Sequence, residues 1–107
     1  MEKRIQDELN TIKDIIINTV PVEKIILFGS FANGIPNADS DIDIYVVMSE
    51  AASIREIDAI RLIRRAIREK KTIPVDIVVS KESKFNQRRT TPSFERGVVK
   101  EGFVLYG

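Results

Sequence analysis

Apolar positions recur at helical spacing near the amino end of the chain. One face of residues 2–18 carries an apolar residue every three or four positions: Ile5, Leu9, Ile12 and Ile16. This spacing predicts an amphipathic first helix. Pro21 disfavours helical backbone in the residue before it, so the helix should not continue past Thr19.

A second helical stretch begins near residue 53. Ser53 with Glu56 is a capping-box signal for a helix start, and an apolar residue follows every three or four positions: Ile57, Ile60, Ile63 and Ile67. The pattern predicts a helix that runs to about Lys71. Its Arg61, Arg65 and Arg68 share another face. We interpret this face as solvated rather than as a nucleic-acid contact, because charged helix faces are usual.

Three short runs rich in branched apolar residues predict strands: 24–28, 41–48 and 74–79. The first strand ends at a turn formed by Gly29, and residues 31–34 leave room for one helical turn. The side-chain period of two in the second strand places Asp41 and Asp43 on one face. Its apolar residues lie on the opposite face: Ile42, Ile44 and Val46.

The pattern weakens after residue 79. Residues 80–91 are polar and have no clean period, which predicts either a mobile loop or an irregular helix. Residues 92–101 predict a last short helix that stops at Gly102. The apolar residues 103–106 are expected to pack onto the domain.

These elements predict an α+β protein with two layers, a small mixed or antiparallel sheet and helices packed on one side. The chain has 107 residues, which suits a single domain over 1–107 and leaves no room for a second domain that would bind an acceptor substrate. We therefore expect a partner to bring the acceptor.

Composition narrows the chemistry. The chain has no cysteine and no histidine, which excludes thiol and imidazole catalysis, zinc sites and disulfides. It has no apolar run of membrane-spanning length and no secretory signal, so a cytoplasmic protein is expected. Residues 1–50 hold four Lys and Arg against nine Asp and Glu, whereas residues 51–107 hold thirteen against seven. This asymmetry is a weak indication of an anionic ligand or an acidic partner.

Carboxylates are the remaining candidates for chemistry. Asp41 and Asp43 would repel each other without a cation between them. Asp76 lies in an otherwise apolar strand, where it is either a third carboxylate of the same site or an acid that faces solvent or pairs with an arginine. Three such carboxylates on one sheet face suit two hard cations, magnesium or manganese, and phosphoryl or nucleotidyl transfer. Gly29 and Ser30 together predict a phosphate-binding turn at the start of a helix.

The order and spacing of these residues resemble the DNA polymerase beta-like nucleotidyltransferase superfamily: Gly29-Ser30, ten residues, Asp41-x-Asp43, then a later strand with Asp76. More narrowly, the chain resembles the minimal nucleotidyltransferase (MNT) proteins, many of which are antitoxins paired with HEPN-domain toxins. The resemblance runs from about Glu23 to the carboxyl end, where residues 100–106 are similar to the closing segment of the family.

The resemblance implies a polymerase beta-like fold and a role for each residue. Asp41 and Asp43 would bind both metal ions, and Asp76 would complete one metal site and accept a proton from the attacking hydroxyl. Gly29 and Ser30 would bind the phosphates of the nucleotide substrate, ATP. The implied acceptor is a tyrosine hydroxyl on a HEPN partner, and direct nucleic-acid binding is not expected.

Two alternatives stay open. Many relatives carry a basic residue after Gly-Ser, whereas residues 31–34 of this chain read Phe-Ala-Asn-Gly. The chain could therefore be a catalytically degenerate module that binds nucleotide or covers a toxin, although a binding scaffold has no need of three mutually repelling carboxylates. Transfer to a small molecule is disfavoured by the absence of a second domain.

Overall fold

The computed structural model describes residues 2–107. Within this range the chain forms five helices and four strands in the following order: α1 (Lys3–Thr19), β1 (Val22–Phe28), α2 (Ser30–Asn33), β2 (Ile42–Met48), α3 (Glu56–Ile67), β3 (Val75–Lys81), α4 (Glu82–Arg88), α5 (Phe94–Glu101) and β4 (Phe103–Tyr106). The first helix and the three strands expected from the apolar pattern are present, each within two residues of its predicted bounds.

The four strands form one mixed sheet in the order β3-β2-β1-β4. Strand β1 is antiparallel to both of its neighbours, and β2 is parallel to β3. The α+β class and the small mixed sheet are therefore confirmed. Parallel pairing of β2 with β3 requires a crossover, and α3 provides it.

The larger core lies between one face of the sheet and the two long helices. Apolar residues of α1 and α3 pack against the inward-facing positions of β1, β2 and β3. The α1 contribution is the predicted stripe: Ile5, Leu9, Ile12 and Ile16. The sheet contributes alternate residues such as Ile25 and Ile44, so their strand neighbours must point to the opposite face.

A smaller core covers that opposite face. Ile26, Tyr45 and Val47 of the sheet pack there against Phe85 of α4 and Val98 of α5. Helices therefore lie on both faces of the sheet, and the expectation that they pack on one side is wrong in this detail. The apolar pattern of residues 80–101 is too sparse to predict this layer, because each short helix buries only one large apolar residue.

The start and the buried face of α3 differ from the prediction. Arg55 occupies the cap position and no side chain caps the helix, so the Ser53–Glu56 capping box does not form. The buried residues are Ala59, Ile63 and Ile67, whereas Ile57 is 47% exposed. At about 100° per residue, Ile57 lies about 120° around the helix from Ile63 and so points away from the core.

The carboxyl-terminal third is more regular than its sequence indicates. Of the two alternatives for residues 80–91, the helix is correct, because α4 occupies 82–88. Residues 103–106 form an edge strand instead of packing fully onto the domain: Phe103 and Val104 remain more than half exposed, and Leu105 reaches the core. Across residues 2–107, none of the helices has both the length and the apolar character needed to cross a membrane.

Candidate active site

Asp43 and Asp76 lie side by side on adjacent strands. The parallel register of β2 and β3 pairs the two residues directly. Both point to the sheet face that carries Tyr45, opposite the larger core. Because β3 is an edge strand, Asp76 is exposed, whereas Asp43 is half-buried. The ion pairs of the described residues do not include Asp76, so the alternative of an arginine partner is not supported.

Asp41 directly precedes β2 and lies close enough to Asp43 for its negative charge to oppose the ionisation of the Asp43 carboxyl. Partial burial raises the pKa of the Asp43 carboxyl above its ordinary value, and repulsion from Asp76 and then from Asp41 raises it further. The three aspartates predicted from the sequence are therefore brought into one electrostatic cluster, with Asp43 at its centre. We refer to it as the aspartate cluster.

The turn after β1 contacts this cluster. Gly29 has φ 75° and ψ −158°, a conformation that side-chain-bearing residues rarely adopt, and its carbonyl accepts hydrogen bonds from the N–H groups of Ala32 and Asn33 at 3.1 Å. A Cβ atom at position 29 would collide with the Asp43 carboxylate. Glycine is needed here for both reasons, and the turn places Ser30 at the start of α2 beside the aspartate cluster.

The donors of the aspartate cluster are of the type that magnesium or manganese prefers, because they are hard oxygen atoms with excess negative charge. A cation between Asp43 and its neighbours would relieve the repulsion that raises the pKa of Asp43. As they stand, however, no three acidic side chains within residues 2–107 are arranged to hold one metal ion. The cluster fits a divalent cation in chemistry, and the assignment of ligands remains a prediction.

A cavity of about 310 Å³ lies next to the turn and was not predicted from the sequence. We call it the Phe94 cavity. Its lining includes Phe28, Gly29, Asn33, Phe94, Gly97 and Glu101. Its α5 wall is the helix predicted over residues 92–101, and it begins at Ser93, whose hydroxyl oxygen accepts a hydrogen bond from the Arg96 N–H at 3.2 Å and caps the helix.

A buried polar network fixes the start of α5. Glu95 is 6% exposed, accepts a hydrogen bond from the Tyr45 hydroxyl at 2.9 Å and another from Arg88 Nε at 2.7 Å. Burial is the largest single influence and opposes ionisation of Glu95, but the hydrogen bonds from Arg88, the backbone and Tyr45, with the positive charge of Arg88, together outweigh it and lower the pKa of Glu95. Burial also raises the pKa of the Tyr45 hydroxyl. The network joins β2, α4 and α5, and nothing in the sequence indicated it.

A larger cavity of about 720 Å³ lies elsewhere, beside Ile5, Phe31 and Pro74. None of the three aspartates lines it. None of the three aspartates lines the smaller Phe94 cavity either, but this cavity adjoins the candidate chemistry because its lining includes Gly29, which lies against the Asp43 carboxylate.

The chain is similar to known proteins over most of its length. The profile of the family "Polymerase beta, Nucleotidyltransferase" matches residues 10–107. A protein of Methanocaldococcus jannaschii, named "Putative protein adenylyltransferase MJ0604", is 33% identical over 105 residues, which cover 98% of this chain and 97% of the relative.

Three solved structures share the fold. The crystal structure of a "putative nucleotidyltransferase" from Sulfolobus solfataricus has a TM-score of 0.65 at 22% identity, and the match covers 94% of this chain and 78% of that protein. The structure of a toxin–antitoxin with AMP-PNP has a TM-score of 0.63 at 27% identity, and the match covers 94% of this chain and 73% of that chain. A further toxin–antitoxin structure, a mutant of MntA-HpeT, has a TM-score of 0.62 at 24% identity, and the match covers 92% of this chain and 71% of that chain.

Proposed function

Because the chain belongs to the polymerase beta nucleotidyltransferase family, we propose that it transfers AMP from ATP to a hydroxyl group on a partner protein. The observation that carries the proposal is the pairing of Asp43 with Asp76 directly beside the Gly29 turn. The name of the Methanocaldococcus jannaschii relative supports a protein acceptor, and the toxin–antitoxin structure with AMP-PNP supports an adenine nucleotide.

In this proposal Gly29 and Ser30 hold the phosphates of ATP through backbone N–H groups and the serine hydroxyl. Asp41 and Asp43 would hold the magnesium or manganese ions, with Asp76 completing one of the two sites. When bound, the ions supply charge neutralisation for the phosphates and lower the pKa of the attacking hydroxyl. The half-buried Asp43 is central because it faces both the turn and Asp76.

Asp76 is the proposed general base. Its exposure on the edge strand leaves it open to a hydroxyl presented by another molecule. The acceptor oxygen forms a bond to the α-phosphorus, the bond from that phosphorus to the bridging oxygen breaks, and pyrophosphate leaves. The proton of the acceptor passes to the Asp76 carboxylate. Gly29 and Ser30 hold the leaving phosphates during this step.

The proposed acceptor is a tyrosine on a HEPN-domain toxin, with this chain as its antitoxin. The likeness to the toxin–antitoxin structure with AMP-PNP, at 27% identity, supports a toxin as the partner. Adenylylation of the tyrosine would block the toxin by adding a bulky, charged group. The reaction would then need no acceptor domain in this chain.

A second candidate function is a binding module without catalysis. One observation favours it: α2 carries no lysine or arginine, so the turn lacks a side-chain cation to bind the triphosphate. In this case the chain would bind ATP or cover the toxin, and no bond would be made.

Label transfer tests the proposal. With ATP labelled on the α-phosphate and a HEPN-domain partner from the same genome, label should move onto the partner. Asp76→Asn should reduce transfer by at least ~10²- to 10⁴-fold, the loss expected when acid–base catalysis is removed, and retain most of the ATP affinity. Asp39→Asn, at an exposed loop position close in sequence, is the charge-matched control and should transfer normally.

The alternatives give different results. Label that reaches the partner from γ-labelled ATP would indicate a kinase and refute nucleotidyl transfer. ATP binding with no transfer from either label would favour the binding module.

A further inference from the structure

We propose that the Phe94 cavity is the subsite for the nucleobase, and that the base stacks on the Phe94 ring. The inference rests on the proposed function, because it concerns the same nucleotide. A cavity of about 310 Å³ is of the size that accommodates an aromatic heterocycle, and it opens beside Gly29, where the phosphates would lie.

The position of the cavity favours the nucleotide over the acceptor. Asp43 lies on β2 between two neighbours: β1, which carries Phe28 and leads into Gly29, and β3, which carries Asp76. The cavity lies on the β1 side, together with the phosphate turn. The acceptor must approach Asp76, which is on the β3 side. The nucleoside therefore has space on the side of the site that the acceptor does not use.

Phe94 has the exposure expected of a stacking residue. Half of its surface is exposed, although it is among the largest apolar residues of α5. Its ring nevertheless has fixed neighbours, since it meets Phe28 edge-on with ring centres 5.3 Å apart and lies 6.2 Å from Tyr45. An aromatic ring held from one side and open on the other can stack on any base.

The flanking residues hold Phe94 in this position. Ser93 caps α5 through its hydrogen bond with the Arg96 N–H, and Glu95 is buried against Tyr45 and Arg88. Because the residues on both sides of Phe94 are fixed, the ring does not have to be ordered when a base binds. Preorganisation of this kind reduces the entropy lost on binding.

The rest of the lining fits a nucleoside. Asn33 and Glu101 give the cavity an amide and a carboxylate, which can hydrogen-bond to the polar edge of a base or to ribose hydroxyls. Gly97 leaves the cavity wide, because a Cβ atom at this position would meet nothing within 4 Å. A larger residue at position 97 should therefore fill the cavity without a collision.

Isothermal titration calorimetry with two probes tests the inference. The probes are ATP and inorganic tripolyphosphate, each with magnesium, so that they differ only in the nucleoside. Phe94→Ala removes the stacking ring, and Gly97→Met fills the cavity with a good helix former. Each variant should bind ATP about 5- to 100-fold more weakly than the unaltered protein, as expected for loss of one base–aromatic stack. Tripolyphosphate affinity should stay unchanged.

Phe103→Ala is the matched control, because Phe103 is a similarly exposed phenylalanine that does not line the Phe94 cavity. It should leave both affinities unchanged. Unchanged ATP affinity in Phe94→Ala and Gly97→Met would overturn the subsite and leave the proposed function intact. Equal loss of both probes would assign Phe94 a structural role and also overturn it.

Two further outcomes separate the two proposals. If Gly97→Met binds ATP normally but no longer labels the partner, the cavity holds the acceptor and the nucleobase inference is wrong. If the unaltered protein binds neither probe, the proposed function itself fails.

Discussion

Asp43 is the member of the aspartate cluster whose ionisation affects the stability of the folded protein. Its carboxyl is half-buried, and the ion pairs of the described residues do not include it. Burial raises the pKa of Asp43, and Asp76 and Asp41 add to the effect. The folded protein therefore binds a proton at Asp43 more tightly than the unfolded chain does. Ionisation of Asp43 must oppose folding when no cation is present.

The first prediction is that Asp43→Asn in EDTA leaves the melting temperature at neutral pH unchanged or raises it. Since the pKa of Asp43 is higher in the folded state, the protonated Asp43 side chain contributes to stability at low pH, and this contribution is lost as pH rises from the ordinary value of 3.8 through the raised pKa. Asparagine does not ionise, so the variant should not lose stability in this way. Thermal melts between pH 4 and 7 measure both effects.

Asp58 provides a control with the opposite sign. The hydrogen bond from Arg55 lowers the pKa of Asp58, so its contribution is present at neutral pH and lost on acidification. Asp58→Asn should therefore never raise the melting temperature. A loss of several kcal/mol in the free energy of unfolding of Asp76→Asn, as occurs when a buried ion-pair partner is removed, would identify Asp76 as a structural residue and not the proposed base.

The second prediction concerns Glu95. Glu95→Gln keeps the volume of the side chain but removes its charge and replaces by an NH2 donor one of the two carboxylate oxygens that accept hydrogen bonds from Arg88 and Tyr45. It should lower the free energy of unfolding at pH 7 by about 1.5–3 kcal/mol, the range for a hydrogen bond to a charged group. The pKa of Glu95 is lowered on folding, so this stability should be lost as pH falls below the ordinary value of 4.5. Urea denaturation at pH 7 and pH 3 measures the difference, which should shrink in acid.

At the scale of elements, two glycines of the α5 region meet very different surroundings: Gly97 lies within the helix and Gly102 caps its carboxyl end. A Cβ atom at Gly102 would collide with the carbonyl oxygens of Val98 and Leu27 and with the Ile26 side chain, whereas one at Gly97 would meet nothing within 4 Å. The close approach at Gly102 lets the chain pass from α5 directly into β4 beside β1.

The third prediction compares alanine at these two positions. Gly102→Ala should destabilise the protein by about 1–3 kcal/mol, as overpacking does. Gly97→Ala should stabilise it by about 0.5–1 kcal/mol, because alanine is the better helix former and the site has space. Urea denaturation gives both values. Equal effects at the two positions would contradict the packing described for Gly102.

The elements show which signals in the sequence were sufficient. The apolar stripe of α1 follows directly from the helical spacing of its apolar residues, and the orientation of Asp43 follows from the alternation of side chains along β2. These two patterns position the core and two of the three aspartates. A helix was predicted for residues 92–101 and was one of two alternatives for 80–91, but their packing on the second face of the sheet could not be predicted, because it depends on isolated contacts of Phe85 and Val98 with distant strands. The stripe assigned to α3 was wrong at Ile57, since apolar residues on a helix need not all face the core.

At the scale of the whole molecule, strand order determines where the site lies. Strand β2 is flanked by β1 and β3. Because β1 runs antiparallel to β2 and β3 runs parallel to it, the turn after β1 meets the first residues of β2 and β3 at the same end of the strands. The sequence predicted the residues of this site but not their pairing, because the register of Asp43 with Asp76 depends on the crossover through α3. The Phe94 cavity was missed for the same reason: its two walls are about 60 residues apart in the chain.

The fourth prediction is that ATP stabilises the protein only together with magnesium or manganese. Without the ion, the carboxylates of the aspartate cluster would repel the phosphates held at Gly29, so binding requires a cation between them. A ligand at 100 times its Kd stabilises the folded state by about 2.7 kcal/mol, which for a chain of this size raises the melting temperature by about 10 °C. Differential scanning fluorimetry should show this shift with magnesium and ATP, and none with ATP in EDTA.

Two variants connect this shift to the aspartate cluster. Asp43→Asn should abolish most of it, because Asp43 lies between the turn and the two other aspartates, while Asp39→Asn should keep it in full. The shift is measured from each variant's own melting temperature in EDTA, so that a higher starting value for Asp43→Asn does not affect the comparison. An equal shift by ATP in EDTA and in magnesium would show that the nucleotide binds without the cluster, and the metal-dependent site would then be wrong.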